Sequence, residues 1–169
     1  KTIDTMDVHS GEVNEDRIIK AMVGRELTDR YPPRQAKVQD TIFEVKNWNV
    51  YHPLHSDRHT IRDVSLNVRA GEVVGIAGLM GAGRTEFAMS LFGRSWGQKI
   101  SGDVFMHGKP VDVSTIPKAT KAGLAYVTED RKTYGLVLID HIKHNTTLAN
   151  LEGVSSRGVV DEMRELKVA

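Results

Sequence analysis

A glycine-rich segment, GLMGAGRT, has the spacing of a loop that binds phosphate groups. It fits the pattern G-x-x-x-x-G-K-[ST], except that Arg84 replaces the lysine. Glycines at positions 78, 81 and 83 permit positive φ angles and a close approach of the backbone, so that successive N–H groups can point at one anion. A helix that follows the loop adds about half a positive charge at its N-terminus. The segment therefore predicts a phosphate site in which the Thr85 hydroxyl ligates Mg²⁺.

Two residues of this loop argue against full catalytic competence. Arg84 keeps the positive charge of the lysine, but its wide guanidinium lacks the lysine's slim geometry. Glu86 places a carboxylate at the helix N-terminus where a phosphate would otherwise lie, so it either repels nucleotide or stands in for it. Two other interpretations stay open, a tight turn with no ligand and the start of a dinucleotide-binding fold, although no G-x-G-x-x-G occurs between Gly75 and Gly93.

The composition excludes several classes of protein. Lysine plus arginine number 23 and aspartate plus glutamate 22, so the net charge of +1 predicts no polycationic groove and no nucleic-acid partner. The chain has no cysteine, which excludes zinc ribbons, thiolate nucleophiles and iron–sulfur clusters. No uncharged apolar run reaches the ~18 residues that a membrane-spanning helix requires. The hydrophobic content of 40% is typical of a packed domain.

The hydrophobic pattern around the loop predicts the elements that position it. Apolar residues alternate with polar ones at 43–46 and 63–69, which predicts two half-buried antiparallel strands. In residues 73–77 and 124–127 both the odd- and the even-numbered positions are apolar. This predicts two strands that are buried on both faces in a parallel core. A helix is predicted from about Thr85 to Phe92. Strand, turn, helix and strand in this order indicate an α/β fold.

Turn and cap residues predict three shorter elements. Asn14, followed by two acidic residues, predicts the start of a helix that ends at Gly24. His107-Gly108-Lys109 predicts a hairpin around these residues. Ser114 as N-cap and Gly123 as a left-handed stop predict a short helix between them.

The longer segment EVKNWNVYHPLHSDRHTIRDVSLNVRAGEVVGIAGLMGAGRTE resembles the opening of an ABC-transporter nucleotide-binding domain. More narrowly, GLMGAGRTE together with AYVTEDRKTYGL is similar to the second nucleotide-binding half of the ATPase subunit of monosaccharide importers, the ribose, xylose and galactose class. In that family one polypeptide carries two such domains, and the second has arginine in place of the loop lysine. The resemblance implies an α/β fold, a partial P-loop NTPase of the ABC type with an antiparallel β subdomain and an incomplete parallel core sheet.

The same resemblance implies how the chain is divided. Residues 1–40 would be the tail of a first nucleotide-binding domain and a linker, because MVGR at 22–25 is similar to the close of that domain and Pro32-Pro33 marks a boundary. Residues 41–169 would be the N-terminal part of the second, degenerate domain. We expect the chain to begin partway through a longer one, since its first residue is Lys1 rather than methionine.

The family's site residues, carried onto this chain, imply a site for ATP and Mg²⁺. Its phosphate loop falls on Gly78, Gly81, Ala82, Gly83, Arg84, Thr85 and Glu86. Tyr51 lies where the family has an aromatic residue that stacks on adenine, although Trp48 competes for that role and a tyrosine of no special role is the alternative. Glu129 lies where most members have the glutamine that contacts Mg²⁺, so Thr85 and Glu129 are the expected metal ligands, unless Glu129 is only a solvated acid.

Two functions are compatible with the resemblance. The chain is either part of the ATP-binding subunit that couples ATP binding and hydrolysis to sugar import, or a degenerate, non-catalytic half that acts as a dimerisation and permease-docking scaffold. Both imply a peripheral position on the cytoplasmic face of the inner (plasma) membrane, a partner nucleotide-binding domain, and a permease that docks through its coupling helix. Neither implies direct binding of sugar.

Other residues carry weaker expectations. Residues 136–139, Leu-Val-Leu-Ile, either help to form the permease-docking groove or pack in the core. An incomplete sheet leaves apolar edges, so we expect the isolated chain to form a dimer or another oligomer. Histidines at 52, 55 and 59 with Asp57, and a pair at 141 and 144, suit a metal by residue type, but we interpret them as solvated loop residues.

The chain alone is expected not to hydrolyse ATP, and no catalytic residue is assigned. The family's signature sequence, Walker B acids, catalytic glutamate and switch histidine fall beyond residue 169, and phosphoryl transfer depends on positioning and electrostatics that those groups supply. A phosphate-release assay should therefore give no turnover above background. Turnover that Arg84→Ala abolishes, in material free of contaminating ATPase, would contradict this expectation.

Overall fold

The computed structural model describes residues 3–9, 11, 13–24 and 35–169. The chain divides into two compact units, Lys1–Lys37 and Val38–Ala169. Arg25 and the predicted boundary at Pro32-Pro33 lie outside the described residues. In the part of the chain that the structure describes, no helix has the length and apolar character needed to cross a membrane.

Among the described residues of the first unit, Glu15–Val23 form helix α1, which confirms the prediction for this segment. The Asn14 side chain accepts a hydrogen bond from the Arg17 backbone N–H at 2.8 Å and so caps the helix N-terminus. The helix ends at Gly24, whose φ of 80° is in the left-handed region that favours glycine. Both helix ends therefore follow from local sequence signals.

The second unit contains a four-stranded antiparallel sheet of order β2-β1-β3-β4. Its strands are β1 Thr41–Tyr51, β2 His59–Arg69, β3 Gln98–Met106 and β4 Lys109–Pro110. β1 and β2 are the two antiparallel strands that the alternating pattern predicts. The predicted hairpin joins β3 to β4 through His107 and Gly108, whose φ angles of 50° and 74° are those of a two-residue type I′ turn.

The remaining elements are short. They are the helices α2 Arg84–Leu91, α3 Ile116–Lys121, α4 Ile142–Thr147 and α5 Glu162–Val168, a π-helical turn Arg131–Gly135, a 3-10 segment Leu148–Val154, and a small hairpin of β5 Ser155–Ser156 and β6 Val159–Val160. The N-cap of α3 is Thr115, not the predicted Ser114, because Thr115 has the extended backbone of a cap and accepts the Lys118 N–H at 3.4 Å. Gly123 has a φ of 97°, as predicted.

The core lies between the sheet and α2. Its buried residues are Val45, Trp48, Val50, Ile61, Phe87, Leu91, Val104, Val113 and Ala119. Trp48 is only 1% exposed, and its indole N–H donates a hydrogen bond to the Ser90 hydroxyl of α2 at 2.9 Å. That hydroxyl in turn donates to the Phe87 carbonyl at 2.7 Å. Because Trp48 is part of this core, the alternative in which Trp48 stacks on adenine is wrong.

The two segments predicted as buried parallel strands do not form strands. Residues 73–77 and 124–127 belong to neither sheet of the described residues. Val73 is 74% exposed and Val127 is 91% exposed, so the predicted burial on both faces is also wrong. The physical reason is that a strand obtains its backbone hydrogen bonds from neighbouring strands, and within the described part of the chain no strand lies beside either segment.

Replacing Ser90 with alanine should destabilise the second unit. The substitution leaves the buried Trp48 indole N–H without its acceptor, which costs about 1–3 kcal/mol. Urea denaturation followed by tryptophan fluorescence measures this loss, and Ser101→Ala on the exposed side of β3 is the matched control. An unfolding midpoint equal to that of the control would contradict the role given to this hydrogen bond.

Candidate functional site

The glycine-rich loop forms a tight turn that leads directly into α2. Gly81 and Gly83 have φ angles of 77° and 84°, where a side chain is strained, as the sequence predicts. The Ala82 N–H donates to the Leu79 carbonyl at 3.1 Å, which closes the turn. Gly78 is not in the left-handed region; its need for glycine comes from space, because a Cβ there would lie 3.0 Å from the Ala82 Cβ.

The N-terminus of α2, which follows this turn, presents backbone N–H groups that a ligand can use. The helix is capped by Gly83, which contributes no side-chain hydrogen bond. The first amides of an α-helix have no intrahelical acceptor, so those of Arg84, Thr85 and Glu86 remain for a ligand or for water. Together with the helix dipole, they form the kind of site that binds phosphate.

Arg84 directs its charge back onto its own loop. Its Nη2 donates a hydrogen bond to the Leu79 carbonyl at 3.3 Å. The guanidinium therefore keeps its positive charge at the loop while already satisfying a backbone carbonyl. A phosphate that used Arg84 would compete with this internal contact.

The structure brings the two predicted metal ligands together. Thr85 Oγ1 donates to Glu129 Oε2 at 3.5 Å, although the residues are 44 positions apart in the sequence. A hydroxyl and a carboxylate are hard oxygen ligands of the type that Mg²⁺ prefers. The donor set therefore fits Mg²⁺, and its place at the end of the phosphate loop suits a metal that is shared with phosphate.

Asp130 holds the segment that presents Glu129. Its carboxylate accepts the backbone N–H groups of Lys132 and Thr133, both at 3.1 Å, and so caps the π-helical turn that follows. The hydrogen bonds from Thr133, and then that from Lys132, lower the pKa of Asp130. The sequence analysis did not assign this residue, although an aspartate two residues before a lysine-threonine pair is the signal of such a cap.

Tyr51 lies at the end of β1 with its ring between two neighbours. It stacks on His59 of β2, with ring centroids 4.4 Å apart and planes 3° apart. The Lys99 ammonium of β3 lies 5.4 Å from the Tyr51 ring centroid. The stacking of Tyr51 on adenine stays a prediction, and the structure shows that the ring is already in contact on its β2 side.

The end of the sheet that carries Tyr51 is also the end that meets the phosphate loop. Val50, the residue before Tyr51, pairs with Ile61 of β2. The Ile61 Cδ1 lies 3.0 Å from the position of a Cβ on Gly83, so a side chain there would crowd it. The predicted base site and the predicted phosphate site are thus joined through one cross-strand pair.

The histidine-rich connection between β1 and β2 is held by β3. The Gln98 side-chain amide donates to the carbonyls of His52 and Pro53, at 2.9 and 3.2 Å, and Lys99 Nζ donates to the Ser56 carbonyl at 3.2 Å. Among the described residues, no group of three or more histidine, cysteine, aspartate or glutamate side chains is arranged to hold a metal ion. The distant pair at 141 and 144 instead contacts ring to ring, with His144 Nδ1 2.7 Å from Asp140 Oδ1.

Residues 136–139 are exposed, which overturns the core-packing alternative. Leu138 is 64% exposed and Ile139 is 99% exposed. The segment borders a cavity of about 330 Å³ lined by Leu136, Val137, Leu138, Asp140, Ile142, Asn145 and Thr146. The Asn145 side chain fixes one edge by accepting the Val137 N–H at 2.8 Å and donating to the Val137 carbonyl at 3.0 Å.

Comparison with known proteins decides the family. A family model described as ABC transporter matches residues 61–165. The chain belongs to the ABC transporter family. This confirms the predicted resemblance and, with the antiparallel sheet and the loop that precedes α2, the predicted fold class of an ABC-type P-loop NTPase.

Several curated relatives of this ABC chain are named as sugar-transport ATP-binding proteins. It is 57% identical over 166 residues to the L-arabinose transport ATP-binding protein AraG of Geobacillus stearothermophilus, covering 98% of this chain and 32% of the relative. Identity is 45% over 157 residues to the xylose import ATP-binding protein XylG of Geobacillus kaustophilus, covering 93% and 31%. Identity is 42% over 165 residues to the ribose import ATP-binding protein RbsA of Bacillus subtilis, covering 98% of this chain and 31% of the relative.

The ABC chain therefore spans about a third of the length of the curated relatives it matches. The boundary between its two compact units lies after Lys37. The assignment of residues 1–40 to a first nucleotide-binding domain, and of 41–169 to a second, stays a prediction.

Proposed function

We propose that the chain is part of the ATP-binding subunit of an importer that uses ATP to move a sugar across a membrane. The observation that carries the proposal is the 3.5 Å contact between Thr85, at the end of the glycine-rich loop, and Glu129, because it brings the two predicted Mg²⁺ ligands together. The arabinose, xylose and ribose named for its relatives support the sugar class. The sugar itself would not bind to this chain.

In this proposal each part of the site has one task. The N–H groups of the loop and of the first turn of α2 bind the phosphates of ATP, and Thr85 and Glu129 hold Mg²⁺. Bound Mg²⁺ would neutralise charge on the phosphate oxygens. Tyr51 lies at the sheet end that meets the loop, where the base of the same nucleotide would lie.

A second candidate function is a scaffold that no longer binds nucleotide usefully. It is favoured by the Arg84 side chain, which is hydrogen-bonded to the Leu79 carbonyl of its own loop. The carboxylates of Glu86 and Glu129 near the loop add negative charge where phosphate would bind. In that role the domain would contribute dimerisation and permease docking.

The proposed partners follow from the exposed apolar surface. Residues 136–139 would contact the coupling helix of a permease on the cytoplasmic face of the inner membrane, where the subunit lies peripherally. A partner nucleotide-binding domain would complete the assembly. The exposed apolar residues at 73–77 would also favour self-association of the isolated chain.

Calorimetric titration with Mg-ATP separates the two functions. The ATP-binding function predicts saturable heat for the wild-type chain and binding weakened by about 10- to 100-fold in Arg84→Ala, since a charge-assisted contact to phosphate contributes about 1.5–3 kcal/mol. Arg164→Ala on α5, which removes an arginine far along the sequence from the loop, is the matched control. No heat for any of the three proteins would contradict ATP binding and favour the scaffold.

Introducing a charge at Leu138 should impair docking without unfolding the domain. The side chain is 64% exposed, so Leu138→Glu removes little buried apolar surface and thermal denaturation should be nearly unchanged. Co-purification with the permease should be lost. Leu54→Glu, at a leucine that is 83% exposed in the connection between β1 and β2, is the matched control and should keep the association.

Two results would contradict the docking role of Leu138. Unfolding caused by Leu138→Glu would show that the residue stabilises the fold rather than forming a docking surface. Equal co-purification of the Leu138 and Leu54 variants would show that the permease contacts another surface.

A further inference from the structure

A buried acid of α5 is not among the residues of the phosphate site. Glu165 is only 4% exposed, and its carboxylate accepts hydrogen bonds from the Lys143 ammonium at 2.7 Å and from the Thr147 hydroxyl at 2.8 Å. These hydrogen bonds, the one from Lys143 first, lower the pKa of Glu165, so the carboxylate is charged at neutral pH. Both donors lie on α4, one helical turn apart, so a single carboxylate binds α4 to α5.

The pairing of Glu165 suits orientation better than added stability. Burying an ion pair removes two charges from water, and apolar residues of the same volume often stabilise a protein equally well or better. A fully paired polar network differs from apolar packing because its hydrogen bonds are satisfied in one geometry only. The contacts of Glu165 therefore fix how α4 is turned and where it lies along α5.

α4 is also bound to the exposed segment 136–139. The Asn145 side chain accepts the Val137 N–H at 2.8 Å and donates to the Val137 carbonyl at 3.0 Å. Three residues of α4 line the cavity beside this segment, namely Ile142, Asn145 and Thr146. The same short helix therefore contacts α5 through one set of side chains and the segment through another.

His144 forms a second connection between the segment and α5. Its Nδ1 lies 2.7 Å from the Oδ1 of Asp140, the residue that follows the segment, and its Nε2 lies 3.9 Å from Glu165 Oε2. Moving Glu165 would therefore disturb the segment at two points, through α4 at Val137 and through His144 at Asp140.

We propose that Glu165 is a positioning residue for permease docking: its carboxylate fixes the orientation of α4, and α4 holds residues 136–139 in the arrangement that a permease contacts. This inference rests on the docking role proposed above for residues 136–139 and adds a residue of α5 to it. Glu165 itself does not contact the permease, since its side chain is buried.

The test replaces Glu165 with leucine in the 169-residue chain and follows the segment by amide NMR. The thermal unfolding midpoint should stay near that of wild type, because leucine is apolar and of similar size and the Thr147 hydroxyl keeps its contact with the Lys143 carbonyl. The amide signals of residues 137–139 should nevertheless move. Co-purification with the permease should fall about tenfold, because the docking arrangement is then only partly populated. Glu162→Leu, at an exposed acid of the same helix, is the matched control and should change neither.

Reversing the ion pair separates orientation from a general structural effect. The double variant Lys143→Glu, Glu165→Lys again joins α4 to α5 by opposite charges. It should therefore return both the amide signals of residues 137–139 and the co-purification toward wild-type values. A double variant that behaves like Glu165→Leu would overturn the proposal.

The outcomes distinguish this inference from the docking proposal. A wild-type chain that does not co-purify with the permease contradicts the docking proposal, and the inference with it. A wild-type chain that co-purifies, together with unmoved signals or unchanged co-purification in Glu165→Leu, overturns the role of Glu165 alone. Should Glu165→Leu not fold, Glu165→Gln, which removes the charge and keeps an acceptor for Thr147, takes its place under the same criteria.

Discussion

The hydrogen bond from the Trp48 indole to the Ser90 hydroxyl fastens α2 to the sheet, and the rest of the site depends on where α2 begins. Both partners are buried, so the contact is shielded from water and costly to break. Ile61 of β2 lies close to Gly83, the residue that caps α2. Because Ile61 pairs with Val50, this contact places the glycine-rich loop at the end of the sheet that carries Tyr51. One buried hydrogen bond and one close approach thus set the position of the glycine-rich loop relative to Tyr51, and so the distance between the predicted phosphate site and the predicted base site.

The charges around the loop are nearly balanced, and that balance decides what the site can bind. The helix N-terminus and Arg84 are positive, while Glu86 and Glu129 are negative. A bare anion would therefore be weakly favoured. A phosphate bound to Mg²⁺ would be favoured more, because the positive charge of the metal offsets the negative charge of the carboxylates. This is why the contact between Thr85 and Glu129 supports a metal-dependent ligand more than a free phosphate.

Local signals predicted those parts of the fold that depend on adjacent residues. The caps of α1, the positive φ angles of Gly81 and Gly83, and the hairpin turn at Gly108 all follow from one or two residues and their neighbours. Residues 73–77 were predicted wrongly as a strand because apolar character does not make a strand without a neighbour to pair with. The stack of His59 on Tyr51 could not be predicted either, since it depends on the register shift between the last two cross-strand pairs of β1 and β2.

The most direct measurement of the central claim is an amide NMR titration of the chain with Mg-ATP. If the loop binds the phosphates, the largest shifts will be those of the backbone amides of Gly81, Gly83, Arg84 and Thr85, and they will saturate together with the shifts around Tyr51. If these four amides stay unmoved while ATP is bound elsewhere or not at all, the account of this chain as a nucleotide-binding domain is contradicted.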